Sequence, residues 1–106
     1  MSYQVLPLYN FPNNTYSIPI EINEKNITFN LFFSYNQEAQ YWTIDILNDK
    51  NENIVCNIPL LTGQNLFQGL DYLEIGKLYI MRKSDMADEI PNSNNLDTDY
   101  WLIWEG

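Results

Sequence analysis

The sequence contains no histidine, one cysteine, four glycines and five lysine and arginine residues in total. Without histidine, a Ser-His-Asp or Cys-His arrangement is excluded, and so is a histidine-based zinc site. Cys56 has no second cysteine with which to form an intramolecular disulfide. The glycines are isolated from one another, which excludes a glycine-rich phosphate loop. We therefore expect a protein that is not an enzyme, with no catalytic residues, cofactor, metal or small-molecule substrate.

Positive charge is scarce, because fourteen acidic residues against five basic ones give a net charge of −9. Five cations cannot supply the basic face that phosphates require, so neither nucleic acid nor an anionic membrane is an expected partner. No apolar run reaches transmembrane length, and residues 1–11 lack the pattern of a secretion signal. We expect synthesis in a reducing cytoplasm. The acidity serves either solubility or a basic protein partner.

What the sequence does have is aromatic and β-branched residues in short alternating runs. Residues 41–63 give the clearest pattern, a β-hairpin in which Trp42, Ile44 and Ile46 share one strand face and residues 48–53 form the turn. In its second strand Cys56 falls between Ile54 and Ile58 in the alternation, which predicts a small core residue.

The remaining runs extend the same fold. We predict strands at residues 3–8, 16–22, 27–35, 77–82 and 100–105, with a four-residue turn at 23–26. The last strand is apolar on both faces, which is typical of a central strand or of one covered by a partner. Near-helical spacing within residues 64–76 predicts one short helical turn. The prediction is a single all-β domain over residues 1–106, a small antiparallel β-barrel or sandwich of about six or seven strands.

Residues 84–99 form a long acidic loop, and a loop of this length in a small domain is usually functional or disordered. Its carboxylates could be calcium ligands, but their spacing matches no calcium-binding loop, so a solvated acidic loop is favoured. These acidic residues are Asp85, Asp88, Glu89, Asp97 and Asp99.

The three tryptophans fall in alternating strand patterns, so core packing is favoured over an aromatic binding platform. They are Trp42, Trp101 and Trp104. A carbohydrate-binding β-sandwich that uses exposed tryptophans remains an alternative.

The chain resembles the baseplate plug family of contractile-tailed phages over nearly its whole length. Residues 53–80 carry the main likeness, NIVCNIPLLTGQNLFQGLDYLEIGKLYI, which includes an IPL-hydrophobic-TG motif followed by Asn65 and Leu66. Before it come the runs LPLYNFPNNTYSI and YWTIDILNDKNENIV, and after it Asn95 and Leu96 precede the terminal aromatic strand. Asp97 stands where a glycine is expected.

This resemblance implies a structural component of a contractile-tail baseplate, in a phage or a phage-tail-like bacteriocin. Such a protein is made in the bacterial cytoplasm and assembled in several copies near the central hub and tube, where it holds neighbouring subunits in register. The implied partners are other baseplate, hub and tube proteins. The predicted interface residues are Pro59, Leu60, Gly63, Asn65, Leu66, Asn95, Leu96 and Trp101.

Two further hypotheses accompany that interface. Residues 59–66 would form a shaped turn at a subunit contact, and the 84–99 loop would become ordered only in the assembly. The alternative function is a soluble acidic binding module, such as an immunity or inhibitor protein that covers a basic toxin site.

Overall fold

A computed structural model of the chain describes residues 3–11, 13–84, 90–92 and 95–106. Within this part of the chain there are seven strands, one 3₁₀ turn at Asp71–Leu73 and one short helix, α1 (Leu96–Asp99). The strands are β1 (Tyr3–Leu6), β2 (Asn14–Ile22), β3 (Lys25–Asn36), β4 (Tyr41–Leu47), β5 (Asn53–Pro59), β6 (Lys77–Arg82) and β7 (Tyr100–Glu105).

The strands form two antiparallel sheets. One sheet has four strands in the order β2-β3-β4-β5, and the other has three in the order β1-β7-β6. The four-stranded sheet is the predicted meander, because short links between successive strands place each strand beside the next. Strand β7 is the centre of its sheet, as its two apolar faces predicted. The all-β prediction is confirmed as a sandwich-like arrangement rather than a closed barrel.

The hydrophobic core lies between the two sheets and centres on Trp104 of β7. The ring centroid of Trp104 is 4.9 Å from that of Phe29 on β3 and 5.2 Å from that of Phe67. Its indole nitrogen donates a 2.6 Å hydrogen bond to the carbonyl of Ile75, so the polar atom of this buried ring is satisfied. Trp42 of β4 is also fully buried, so core packing is confirmed for these two tryptophans.

Cys56 is exposed, so the prediction that it is a core residue is wrong. The reason is a bulge: Val55 and Ile58 pair with alternate residues of β4, which leaves one extra residue on β5 between them. Asn57 lies in this bulge with φ 57°, and its N–H donates to the Asp45 carboxylate at 2.7 Å. The extra residue reverses the alternation and turns Cys56 toward solvent.

The β2–β3 turn is shorter than predicted. Asn23 and Glu24 alone form it, with φ values of 52° and 65°, and β3 begins at the next residue. Positive φ at both central residues is typical of the tight two-residue hairpin turn whose twist matches that of the strands. The four-residue prediction for 23–26 was therefore two residues too long.

The short helical turn predicted within residues 64–76 is present as 3₁₀-type bonds. The N–H of Gln68 bonds to the carbonyl of Asn65, that of Leu70 to Phe67, and that of Leu73 to Leu70. Each bond spans three residues, which is the 3₁₀ spacing rather than the α-helical one.

The end of the predicted 84–99 loop is instead the one-turn helix α1. Leu96 is fully buried, and Asp97 adopts no positive φ, so the helix needs no glycine there. Asn10 makes two hydrogen bonds to Asp97. Its side-chain oxygen accepts from the Asp97 N–H at 3.1 Å, and its side-chain nitrogen donates to the Asp97 carboxylate at 2.6 Å. Residues 85–89 and 93–94 lie outside the described residues, and with them the hypothesis that the whole loop orders on assembly.

Candidate interface

The outer surface of the three-stranded sheet is largely apolar, with the charged pair position Lys77 and Glu105 at one end. Antiparallel register brings its side chains into rows, in which Met81 of β6 lies opposite Trp101 of β7, while Tyr79 of β6 and Val5 of β1 flank Ile103. Val5 is 53 % exposed, Met81 50 % and Trp101 45 %. The prediction of a core position for Trp101 is therefore wrong. We call these five apolar residues, together with the exposed Tyr3 beside them, the outer face.

The outer surface of the four-stranded sheet is polar by comparison. Ser34 and Thr43 are hydrogen-bonded to each other at 2.8 Å across β3 and β4. Ser17 and Asn30 are hydrogen-bonded across β2 and β3. Ser17 is exposed and Asn30 and Ser34 are half-buried, although Thr43 is buried. Polar side chains that satisfy one another are typical of a sheet face in contact with water. Of the two sheets, the three-stranded one therefore presents the surface that a partner can bury.

Positive charge is concentrated beside the outer face. Three of the five basic residues of the chain, Lys77, Arg82 and Lys83, lie on β6 or directly after it. The ammonium of Lys83 lies 4.4 Å from the ring centroid of Trp101, in a cation–π contact. The outer face thus has an apolar centre with cations at one margin, although the chain as a whole carries −9.

A groove of about 760 Å³ lies along β6 and meets the outer face at Tyr79 and Met81. Residues 61–64 form one wall, residues 79–82 form the other, and Ile90 also lines it. Next to the groove, the N–H of Leu66 bonds to the carbonyl of Leu78 at 2.7 Å. This bond links the residues that follow the first wall to the strand that forms the second.

The predicted interface residues are distributed between the surface and the core. Trp101 lies in the outer face, exposed Gly63 lines the groove, and Pro59 is half-buried. Three others pack in the core of the chain: Leu60, Leu66 and Leu96.

The two asparagines of that predicted set make internal hydrogen bonds. The Asn65 side chain accepts from the N–H groups of Phe67 at 3.0 Å and Leu78 at 3.1 Å. The Asn95 side chain accepts from the N–H of Asn92 at 2.8 Å. Both side chains therefore stabilise the backbone of this chain. Their assignment to an interface stays a prediction.

Sequence reasoning missed Val5, Tyr79, Met81 and Ile103 as interface candidates. The available signal was the apolar character of both faces of β7, which indicates a covered strand but does not identify its neighbours. Their contribution depends on register, because only the pairing of β1 and β6 with β7 places these side chains around Ile103.

Other kinds of site find little support in the described part of the chain. It holds no group of three or more acidic or cysteine side chains placed to bind a metal ion. It also holds no helix long and apolar enough to cross a membrane. Of the five acidic residues in the calcium alternative, Asp85, Asp88 and Glu89 lie outside the described residues.

Residues 3–106 match the sequence profile of a family described as cyanophage baseplate Pam3 plug gp18. The chain belongs to this family. The match covers the two sheets and therefore the outer face and the groove. The resemblance seen in the sequence is thus confirmed at the level of the plug family. No curated protein matches the chain.

Proposed function

We propose that this protein is a structural component of a phage-type baseplate that packs against neighbouring proteins through its outer face. Membership of the baseplate plug family supports a structural role in such an assembly. The finer placement, also proposed here, is near the central hub and tube, in several copies that hold neighbouring subunits in register. The parent particle is a contractile phage or a related bacteriocin, and the chain is incorporated into it after synthesis in the bacterial cytoplasm.

The observation that carries this proposal is the contrast between the outer surfaces of the two sheets. The contiguous apolar residues of the outer face are in contact with water. Burying them against a partner would stabilise the complex by about 25 cal/mol for each Å² of apolar surface. Burying the more polar surface of the four-stranded sheet would give no comparable stabilisation. A protein that fills space between rigid neighbours needs such an apolar surface more than it needs a catalytic cleft.

Matched substitutions test the outer face. Val5→Lys places a charge at its edge, whereas Ile27→Lys makes the same change at an exposed β-branched residue of β3, which is 41 % exposed. Each variant replaces the wild-type protein in the producing strain, and mass spectrometry measures its amount in purified tailed particles.

We expect Val5→Lys to lower incorporation about tenfold or more, since a desolvated unpaired charge costs several kcal/mol. Ile27→Lys should be incorporated normally. Equal incorporation of both variants would show that the outer face is not the contact surface. Absence of the wild-type chain from the particles would refute the structural role itself.

A further inference from the structure

The edge of the sandwich formed by β1 and β2 is poor in charge. Residues 1–20 contain no charged side chain, so all five basic and fourteen acidic residues of the chain come after them. Strands β1 and β2 are terminal strands of their sheets. The Gln4 side chain links them at one edge, because it donates to the Pro19 carbonyl at 3.1 Å and accepts from the Glu21 N–H at 3.0 Å. Depletion of charge is part of the compositional signal of the core of a protein interface.

Residues 7–11 follow β1 at this edge and expose two aromatic rings. Phe11 is 70 % exposed and Tyr9 is 43 % exposed, in a segment without a charged side chain. We call residues 7–11 the aromatic loop. Exposed aromatic side chains on a surface without charge are typical of residues that anchor a protein contact.

Hydrogen bonds fix the aromatic loop within the free chain. The Tyr16 phenol donates to the carbonyl of Pro7 at 2.7 Å, and the Asn14 side chain donates to that of Phe11 at 2.6 Å. Asn10 adds its two bonds to Asp97. A loop that is already held in one conformation loses little conformational entropy on binding, so its rings are pre-organised for a partner.

The groove lies at the opposite edge of the sandwich. Strands β5 and β6 are the terminal strands there, and the groove lies between β6 and residues 61–64, which follow β5. In the register of the three-stranded sheet, Leu6 of β1 and Ile80 of β6 both pair with Leu102. The aromatic loop begins directly after Leu6, at the level where β6 lines the groove. Loop and groove therefore lie on opposite edges at a similar level along the strands.

We infer that copies of this chain join head to tail, with Tyr9 and Phe11 of one copy inserted into the groove of the next. This inference deepens the proposed function and rests on it, because it names the contact between the several copies of the assembly. Since the loop and the groove are different surfaces, each contact leaves one of each unused, and a further copy can add at either end. Repetition closes a ring where the rotation between copies allows it.

The groove has a size and a lining that suit two aromatic rings. Its volume of about 760 Å³ lies within the range of about 300–1,000 Å³ that is typical of pockets for whole small ligands. Leu61, Met81 and Ile90 line it, and the thioether of methionine makes favourable contacts with aromatic rings. Arg82 is the one charged residue in the described lining, and a guanidinium stacks favourably on an aromatic face. An aromatic segment without charge therefore fits both the apolar walls and Arg82.

The net charge of −9 on each copy does not oppose this contact locally. The aromatic loop has no charged side chain, and the described lining of the groove has no carboxylate. Asp97, whose carboxylate bonds to Asn10 of the loop, is opposite in sign to Arg82 of the neighbouring copy. Exposed charges more than about 8 Å apart are largely screened at physiological ionic strength. Apolar burial at the contact is therefore not cancelled by repulsion between the two copies.

A photo-reactive phenylalanine analogue at position 11 tests the contact directly. It is introduced in the producing strain, purified particles are irradiated, and mass spectrometry identifies the joined peptides in covalent dimers of this chain. We expect a cross-link from position 11 to residues 61–64 or 79–82 of a second copy. The same analogue at position 72, where Tyr72 is 75 % exposed, should not cross-link to those residues.

The contrary outcomes of the cross-linking experiment are distinct. A cross-link from position 11 to a different particle protein, or to another part of a second copy, would overturn the inference. So would the absence of any cross-link from position 11 although the substituted chain is present in the particles. Wild-type chain missing from the particles would instead refute the proposed function, so the two failures are distinguishable.

Matched charge substitutions measure the contribution of the aromatic loop. Phe11→Lys places a charge in the contact opposite Arg82, whereas Tyr72→Lys makes the same change at a similarly exposed ring. The Asn14 bond goes to the main-chain carbonyl of Phe11, so the substitution does not remove it. Phe11→Lys should lower the amount of chain in particles about tenfold or more, because a charge without a partner resists desolvation. Tyr72→Lys should be incorporated normally.

Two glutamine variants make the corresponding test of the groove. Gln64 and Gln68 are both exposed, but only Gln64 lines the groove. Gln64→Trp fills the groove and should lower incorporation about tenfold, whereas Gln68→Trp should not. Thermal unfolding of each purified variant establishes that the fold is retained. Equal incorporation within either matched pair of folded variants would overturn the head-to-tail contact while leaving the outer face untouched.

Discussion

The indole nitrogen of Trp42 donates a 2.7 Å hydrogen bond to the carbonyl of Asn92, fifty residues away in the chain. Trp42 is a fully buried residue of β4, whereas Asn92 belongs to the segment that precedes α1. Next to Asn92, Pro91 is buried too, and Leu96 is fully buried in the core. The four-stranded sheet thus fixes the described end of the 84–99 segment in the free chain.

Trp42→Phe should destabilise the protein by about 1–3 kcal/mol for the lost hydrogen bond, with a further loss from the vacated volume. Chemical denaturation measures the free energy of unfolding. Trp101→Phe is the matched control, because Trp101 is exposed and loses little beyond its contact with Lys83, worth about 0.5–1 kcal/mol. Equal effects of the two substitutions would contradict the role assigned to Trp42.

Two glycines allow the cost of backbone strain to be measured separately from the cost of steric overlap. Gly69 and Gly76 have φ values of 82° and 89°, but only at Gly76 would an added Cβ overlap the backbone carbonyl of Glu105. Gly69→Ala should cost about 1–3 kcal/mol for the left-handed conformation alone. Gly76→Ala should cost clearly more, because the end of β7 must also move. Similar unfolding free energies for the two variants would show that the overlap is relieved easily.

Asn65 should behave as a structural residue of the isolated protein. Its side-chain oxygen accepts two backbone N–H groups, so Asn65→Ala should lower the free energy of unfolding by about 1–3 kcal/mol. Asn26→Ala, at an exposed position of β3, should change it by less than about 0.5 kcal/mol. Chemical denaturation of the free protein checks both. A stable Asn65→Ala variant would leave subunit contact as the remaining role for this residue.

Tyr16 makes stability sensitive to alkaline pH. Burial raises the pKa of the Tyr16 phenol well above its usual value of 10.0, and the neighbouring Tyr9 raises it further. Below about pH 10 the phenol is neutral in both folded and unfolded states, so its contribution to stability is fully present. As the pH rises above that value the unfolded chain ionises first, and the contribution is progressively lost.

The Tyr16→Phe variant tests this dependence. It loses the 2.7 Å bond from the phenol to the Pro7 carbonyl, so it should be less stable than wild type at neutral pH by about 1 kcal/mol. Above pH 10 its stability should fall less steeply than that of wild type. Parallel curves for wild type and Tyr16→Phe would contradict the assignment.

Much of the fold was predictable because its strands obey simple alternation. Trp42, Ile44 and Ile46 are buried on one face as the period of two requires, and the meander follows from its short links. Cys56 was mispredicted because a bulge at Asn57 depends on pairing with β4, which a single strand does not encode. The residues of β5 alternate regularly in sequence, and pairing with the neighbouring strand interrupts that alternation.

The candidate site was less predictable for the same reason. Trp101 was selected from its motif, but the outer face exists only because β1 and β6 align with β7 across long sequence separations. The groove along β6 exists only because residues 61–64 lie beside that strand, which is tertiary information. Family likeness indicated the type of assembly, whereas register determines which surface can be buried.

The most direct test of the account is cryo-electron microscopy of tailed particles purified from the producing strain, with the chain located in the map. We expect the chain to lie in the baseplate with Val5, Met81, Trp101 and Ile103 buried against a neighbouring protein. The polar surface of the four-stranded sheet should remain the more hydrated of the two. A chain that is absent from the particles, or one whose outer face is turned to solvent, would contradict it.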